Sequence, residues 1–145
     1  MKVALVTGGG TGIGRAAALE LNKIDFVVYV VGRREEELNK TSSLAENKNF
    51  KIIPVKTDIT NGNEVIDLFH KIKNDHGRID LLFNNAGMGA PRVPIEELKE
   101  EDWRKTVDVN LTGSFLCSQQ AIKLMTSQSP PGLSLIHISE PTRPC

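Results

Sequence analysis

The glycines at 8, 12 and 14, within Thr7-Gly8-Gly9-Gly10-Thr11-Gly12-Ile13-Gly14, have the spacing in this chain that bears most directly on chemistry. They follow the apolar run Val3 to Val6 and lead into a helical pattern from Arg15 to Lys23. Strand, glycine turn and helix together form a phosphate-binding arrangement. Glycines let the backbone turn sharply and approach a diphosphate, which then meets free N–H groups at the positive end of the helix. The spacing is G-x-x-x-G-x-G rather than the common dinucleotide fingerprint G-x-G-x-x-G, and on these residues alone a plain tight turn also fits.

Other candidates lie at the ends of later apolar runs. Val31-Gly32 carries no carboxylate where an NAD-binding fold places one for the adenosine ribose. Arg33 and Arg34 follow instead, the residue type that meets a 2′-phosphate, so NADP(H) is favoured over NAD(H). Two arginines solvated at a loop are the alternative. Asp58-Ile59-Thr60 follows the third run, and there Asp58 can accept from an adenine amino group or serve as an ordinary loop carboxylate. Asn84-Asn85-Ala86-Gly87 follows the fourth, with small residues that let a cofactor ring lie against backbone. Asn110 sits inside a helical pattern, where its modest propensity argues for a specific hydrogen bond.

The remaining polar side chains offer little. Cys117 reads as a buried thiol and Cys145 is the last residue, so no disulfide framework or metal site is indicated. His70 and His76 have no partner at ligand spacing and read as surface or capping residues.

The elements that position these groups alternate regularly. Val3 to Val6, Val27 to Val31, Ile52 to Val55 and Ile79 to Phe83 are nearly continuous apolar runs, as in parallel strands covered on both faces. Helical patterns separate them, which predicts an α/β fold with a doubly wound parallel sheet of the Rossmann type. Pro54 lies inside the third run, and proline is confined to sheet edges or strand beginnings. The order 3-2-1-4-5-6 puts that strand at the edge. Asn61 to Glu64 carries a capping-box signature and Gly77 ends the helix it begins. Glu35 to Glu37 fit a first helical turn stabilised by the dipole. Glu96 to Lys105 reads as a charged helical stretch anchored by Trp103. Thr106 to Met125 reads as a long helix with Val109, Leu111, Phe115, Leu116, Ile122 and Leu124 forming a broad apolar surface.

The 145 residues leave room for one domain with a substantial core. Eighteen basic residues balance eighteen acidic ones, so bulk electrostatics suggests no nucleic-acid or membrane partner. Neither a leader nor a spanning segment is evident, and a cytoplasmic location is expected.

In combination these residues resemble the amino-terminal half of a short-chain dehydrogenase/reductase. The matching motifs are Thr7 to Gly14, Asp58 after the third strand, Asn85-Ala86-Gly87, and Asn110 within Val109-Asn110-Leu111-Thr112-Gly113. The resemblance covers residues 1–132 and implies an NAD(P)-dependent oxidoreductase interconverting an alcohol and a ketone by hydride transfer. It also implies cofactor contacts from Thr7, Gly8, Gly10, Thr11, Gly12, Ile13, Gly14, Arg33, Arg34, Asp58, Ile59, Asn85, Ala86 and Gly87. The family's tetrad is Asn, Ser, Tyr and Lys, and Asn110 is its one member here. Tyr29, the sole tyrosine, lies in the second strand with Arg33 four residues on, so it is not the acid.

After Pro130-Pro131-Gly132 the family continues with a fifth strand and the remaining catalytic residues. Here the stretch from Leu133 to Cys145 resembles translated sequencing-adapter sequence, which makes residues 133–145 a tail of non-biological origin. A natural fifth strand over Leu133 to Ile138 is the alternative, and in either case the pattern permits a strand beside the fourth. The expected outcome is a parent oxidoreductase of the homo-oligomeric kind acting on a small carbonyl or alcohol. The fragment itself would keep the cofactor half and lack turnover. A non-catalytic dinucleotide sensor is the alternative function.

Overall fold

The structure, a computed structural model, describes residues 1–130 and 134–137. The strands are β1 (Lys2–Thr7), β2 (Phe26–Gly32), β3 (Ile52–Lys56), β4 (Leu81–Asn84) and β5 (Ser134–His137). They form one sheet in the order β3-β2-β1-β4-β5, and every pairing is parallel. This is the predicted doubly wound arrangement. β5 pairs through its backbone with Leu81 to Asn84, as the pattern of the tail permits. Pro54 lies in the edge strand β3, where a residue without an N–H is tolerated.

Alternate residues of β1 and β2 feed two cores, because successive side chains point to opposite faces. Ala4, Val6, Val28 and Val30 pack with Ala18 of helix α1 (Gly12–Lys23) and Leu38 of α2 (Glu35–Ser43). Val3, Leu5, Val27, Tyr29 and Val31 pack on the other face against α3 (Gly62–His76) and the helix α5 (Ser114–Ser127). Such two-sided burial explains why the strands read as unbroken apolar runs.

The termini of α3 follow the sequence signals, with one difference. The Asn61 side chain accepts from the N–H groups of Asn63 and Glu64, and Gly77 closes the helix at φ 70°. The Glu64 carboxylate, however, does not reach back to the Asn61 N–H. One oxygen accepts the Asp58 N–H at 2.7 Å and the other the Asn61 side-chain amide at 3.2 Å.

Three further expectations are corrected. First, the stretch after the β4 loop is not divided at Thr106. After a single 3₁₀ turn at Ile95–Glu97, helix α4 (Glu100–Val107) runs through a π-helical segment (Asp108–Gly113) directly into α5. Second, Trp103 is no anchor: it is 57 % exposed, on the outer face of α4. Leu111, Phe115 and Ile122 are also exposed, so the apolar surface predicted for this helix is divided between core and solvent. Third, His76, read as a surface or capping residue, does end α3 beside the Gly77 cap but is half-buried there. Its ring stands edge-on to Tyr29, with centroids 5.7 Å apart.

Candidate functional site at the carboxyl ends of the strands

The glycine stretch joins β1 to α1 at the carboxyl edge of the sheet. Gly8 and Gly9 both donate to the Val31 carbonyl, at 2.8 and 3.3 Å, which folds the loop back over β2. Gly8 has φ 65° and Gly12 φ 53°, backbone conformations that disfavour side chains. Gly14 is required for a different reason, since a Cβ there would lie 2.2 Å from the Gly8 carbonyl oxygen. The loop and helix touch backbone to backbone. At Gly12, by contrast, a Cβ would meet nothing within 4 Å, so this side of the turn is open.

Helix α1 begins without a side-chain cap at Thr11. Its first N–H groups, at Gly12, Ile13 and Gly14, therefore have no intrahelical partner and carry the positive end of the dipole. A buried helix terminus with unsatisfied donors would be costly, whereas Thr11, Gly12 and Ile13 are exposed. The open turn and the uncapped amides together fit a diphosphate.

Thr7 ties this loop to the next one. Its hydroxyl oxygen accepts from the N–H groups of Asn85 and Ala86, at 3.0 and 2.9 Å, and its proton faces the Phe83 carbonyl at 3.4 Å. The Asn85 side-chain amide donates to the Thr7 and Gly8 carbonyls, at 3.1 and 3.4 Å. In this way Asn85 and Ala86 lie beside the glycine loop, and their polar groups hold the two loops together. Asn84 points elsewhere, with its amide donating to the Ser118 hydroxyl at 3.0 Å.

Asn110, in the π-helical segment, has the specific bonds its position predicts. Its side-chain oxygen accepts the Met88 N–H and its amide donates to the Met88 carbonyl, both at 2.8 Å. The extra residue per turn of a π-helix displaces the chain locally. The Asn110 carbonyl accepts the Ser114 hydroxyl at 3.0 Å. Gly87 sits against this amide, a Cβ there falling 3.3 Å from the Asn110 oxygen.

Arg33 and Arg34 immediately precede α2 and are exposed; among the described residues neither side chain makes a hydrogen bond or ion pair. Asp58 faces the same region from the end of β3. Its carboxylate accepts the N–H and the hydroxyl of Thr60 at 3.0 and 2.7 Å. Partial burial pulls its pKa upward, but those bonds and the charge of Arg33 outweigh it and leave the group below the ordinary aspartate value. Ile59 is buried and packs against Gly113 of the π-helical segment. Its side chain therefore braces the π-helical segment.

Tyr29 is fully buried, and its hydroxyl donates to Asp75 at 2.8 Å. Burial first, then that acceptor, pushes its pKa well above the ordinary tyrosine value, the opposite of what an acid–base role needs. Cys117 is buried as predicted, whereas Cys145 lies outside the described residues. Among the described residues no cluster of three His, Cys, Asp or Glu side chains can hold a metal ion, and no helix is long and apolar enough to cross a membrane.

One group of contacts has no counterpart in the sequence motifs. Arg15 donates from Nε to the Thr41 hydroxyl at 3.0 Å, pairs with the Glu37 carboxylate at 2.7 Å and also donates to the Gly10 carbonyl. Thr41 is fully buried and its hydroxyl lies 2.9 Å from the Gly9 carbonyl oxygen. No local spacing marks the contacts of Arg15 with Glu37 and Thr41 or of Thr41 with Gly9, because those partners are 22 to 32 positions apart.

Comparison with known proteins agrees with this architecture. A family model described as short chain dehydrogenase matches residues 2–139. A 3beta-hydroxysteroid dehydrogenase of Mediterraneibacter gnavus is 36% identical over 138 residues, which are 95% of this chain and 49% of that protein. Dehydrogenase/reductase SDR family member 11 of Gallus gallus is 31% identical, over 95% of this chain and 54% of its own length. The chain thus spans about half the length of the curated relatives it matches. Among solved structures, a metagenomic short-chain oxidoreductase in complex with NADP superposes with TM-score 0.88 at 28% identity, covering 95% of this chain and 62% of that one. An NAD+-bound xylitol dehydrogenase gives TM-score 0.87 at 29% identity, covering 94% and 52%.

Proposed function

The chain belongs to the short-chain dehydrogenase family, and from that premise we propose that its parent protein is an NAD(P)-dependent oxidoreductase interconverting an alcohol and a ketone. The observation that carries the reading is the uncapped start of α1 beside an open glycine turn, tied through Thr7 to the Asn85-Ala86-Gly87 loop. Two similar proteins hold NADP and NAD+ respectively, which supports a nicotinamide dinucleotide here.

When bound, the nicotinamide supplies or takes up a hydride at a carbonyl carbon. The chain's own residues do the rest. The Gly12 and Ile13 amides, with those of Gly10 and Thr11, hold the diphosphate. Arg33 and Arg34 meet a 2′-phosphate, which favours NADP(H), and the ionised Asp58 accepts from the adenine amino group. Ala86 and Gly87 leave backbone free for the cofactor to lie against. Asn110 fixes the Met88 backbone and so shapes the loop leading out of this region.

Of the family's four catalytic residues this chain supplies Asn110 alone. We therefore assign residues 1–132 to the cofactor half and the stretch from about 133 to a tail of different origin, and expect no turnover from the chain by itself. The exposed Trp103, Leu111, Phe115 and Ile122 support a homo-oligomeric parent.

The test is titration of the isotope-labelled chain with NADPH and with NADH, followed by backbone amide NMR, which detects even millimolar affinities. Shifts at Gly10 to Gly14 with tighter binding of NADPH are expected. Shifts confined to other surfaces would sink the reading, and steady-state reduction by the chain would overturn its inactivity. Native gene sequence beneath the codons from 133 on would remove the assignment of the tail.

A further inference from the structure

The Arg15, Glu37 and Thr41 contacts have no part in the assignments above, yet they converge on the two peptide units that precede the helix. In a trans peptide the carbonyl of one residue and the N–H of the next point in opposite directions. The Gly9 carbonyl is turned toward the buried Thr41 hydroxyl, 2.9 Å away, so the Gly10 N–H is turned away from α2. The Gly10 carbonyl accepts from the Arg15 guanidinium and lies 3.4 Å from the same hydroxyl, so the Thr11 N–H is likewise turned away from α2.

Arg15 is itself held in two directions. Its Nε donates to Thr41 at 3.0 Å and its terminal nitrogen pairs with Glu37 at 2.7 Å. A guanidinium one residue beyond the glycine turn is a natural partner for an anion. Here the Glu37 carboxylate, the Glu37 and Gly10 carbonyls and the Thr41 hydroxyl oxygen occupy it, and it braces the loop from behind.

We propose that Thr41, together with Arg15, is a positioning residue for the phosphate-binding loop. By fixing the carbonyls of Gly9 and Gly10 against α2, the pair aims the Gly10 and Thr11 N–H groups at the diphosphate of a dinucleotide. This rests on the dinucleotide reading given above. It also couples the loop to α2, whose first turn follows directly after Arg33 and Arg34.

The experiment compares the wild-type chain with Thr41→Val, which keeps the volume and loses the hydroxyl, Thr41→Ser, which keeps it, and Arg15→Met. NADPH and NADH are titrated against each by amide NMR, below the melting temperature of every variant. Thr41→Val and Arg15→Met should each weaken both nucleotides about tenfold, the scale of one lost orienting hydrogen bond. Thr41→Ser should stay near wild type, and the NADPH-to-NADH ratio should be unchanged, since the diphosphate is common to both. The Gly10 and Thr11 amide shifts should move even without nucleotide. Should Thr41→Val not fold, Arg15→Met carries the same expectation alone. Wild-type affinity in the folded variants overturns the inference and leaves the dinucleotide reading intact. A wild-type chain that binds neither nucleotide overturns both.

Discussion

The hydroxyl oxygen of Thr7 accepts the backbone N–H of Ala86 at 2.9 Å, across 79 residues of chain. Thr7 is 1 % exposed, so water has no access to replace the bond. The loop after β1 and the loop after β4 are therefore held at a fixed separation by this buried hydroxyl together with the Asn85 side-chain amide.

Replacing that hydroxyl by a methyl group should be costly. Thr7→Val strands the Ala86 N–H, while that of Asn85 keeps the Phe83 carbonyl at 3.0 Å, and is expected to lose about 1–3 kcal/mol of stability, the penalty for a donor left without a partner. Thr7→Ser should lose much less. Urea unfolding of the three chains measures this, and a Thr7→Val midpoint equal to wild type would refute the role given to Thr7.

Cofactor preference should follow the basic side chains before α2. If NADP(H) is the cofactor as proposed, Arg33→Ala removes a charge-assisted bond to its 2′-phosphate, so NADPH binding should weaken by roughly tenfold to a hundredfold. Binding of NADH should hardly change. Equal losses for the two nucleotides would mean that Arg33 does not read that phosphate.

Acid should uncover the contribution of Asp80. Partial burial pulls its pKa upward, but the Arg78 guanidinium and the Val3 N–H, at 2.8 Å, outweigh this and leave it below the ordinary aspartate value. A carboxylate whose pKa is lowered by folding stabilises the native state above its unfolded pKa of about 4 and loses that contribution as pH falls through the folded value. Asp80→Asn should therefore be destabilised near neutrality by about 1–3 kcal/mol, with the difference from wild type shrinking below about pH 4. Unfolding curves across that range are the measurement, and a difference that grows toward acid would contradict the prediction.

Thiol chemistry at Cys117 should report on opening of the core. Burial pushes its pKa up to about 12 and leaves the sulfur inaccessible. Alkylation at neutral pH, mapped by mass spectrometry to the peptide containing Cys117, should be absent in the native chain and rapid in denaturant. Prompt native labelling of that residue would mean that α5 does not pack as described.

The sheet and its order were readable because parallel strands buried on both faces leave unbroken apolar runs, with Pro54 marking an edge. The glycine turn was readable because its backbone contacts tolerate no other residue at 14. Asn110 stood out as a polar residue inside a helical pattern, although its partner Met88 did not. Other features depend on pairings across the fold. Neither Arg15 nor Glu37 carries a local sign of the other, and Glu64 satisfies the Asp58 amide rather than completing a capping box. The exposure of Trp103 was hidden for a related reason, since amphipathic spacing does not say which side of a helix meets the sheet. The π-helical segment has no spacing signal at all.

The central place of β1 has a consequence for how the chain is made. This strand leaves the ribosome before β2 and β4 and finds β2 soon after that strand emerges, but its other edge pairs with Leu81 to Phe83, and Val3 donates to Asp80, 77 residues later. Until that stretch is synthesised, an apolar strand edge stands open to other nascent chains, a template for aggregation. Folding thus awaits translation of β4, and slower elongation before that point would prolong the hazard.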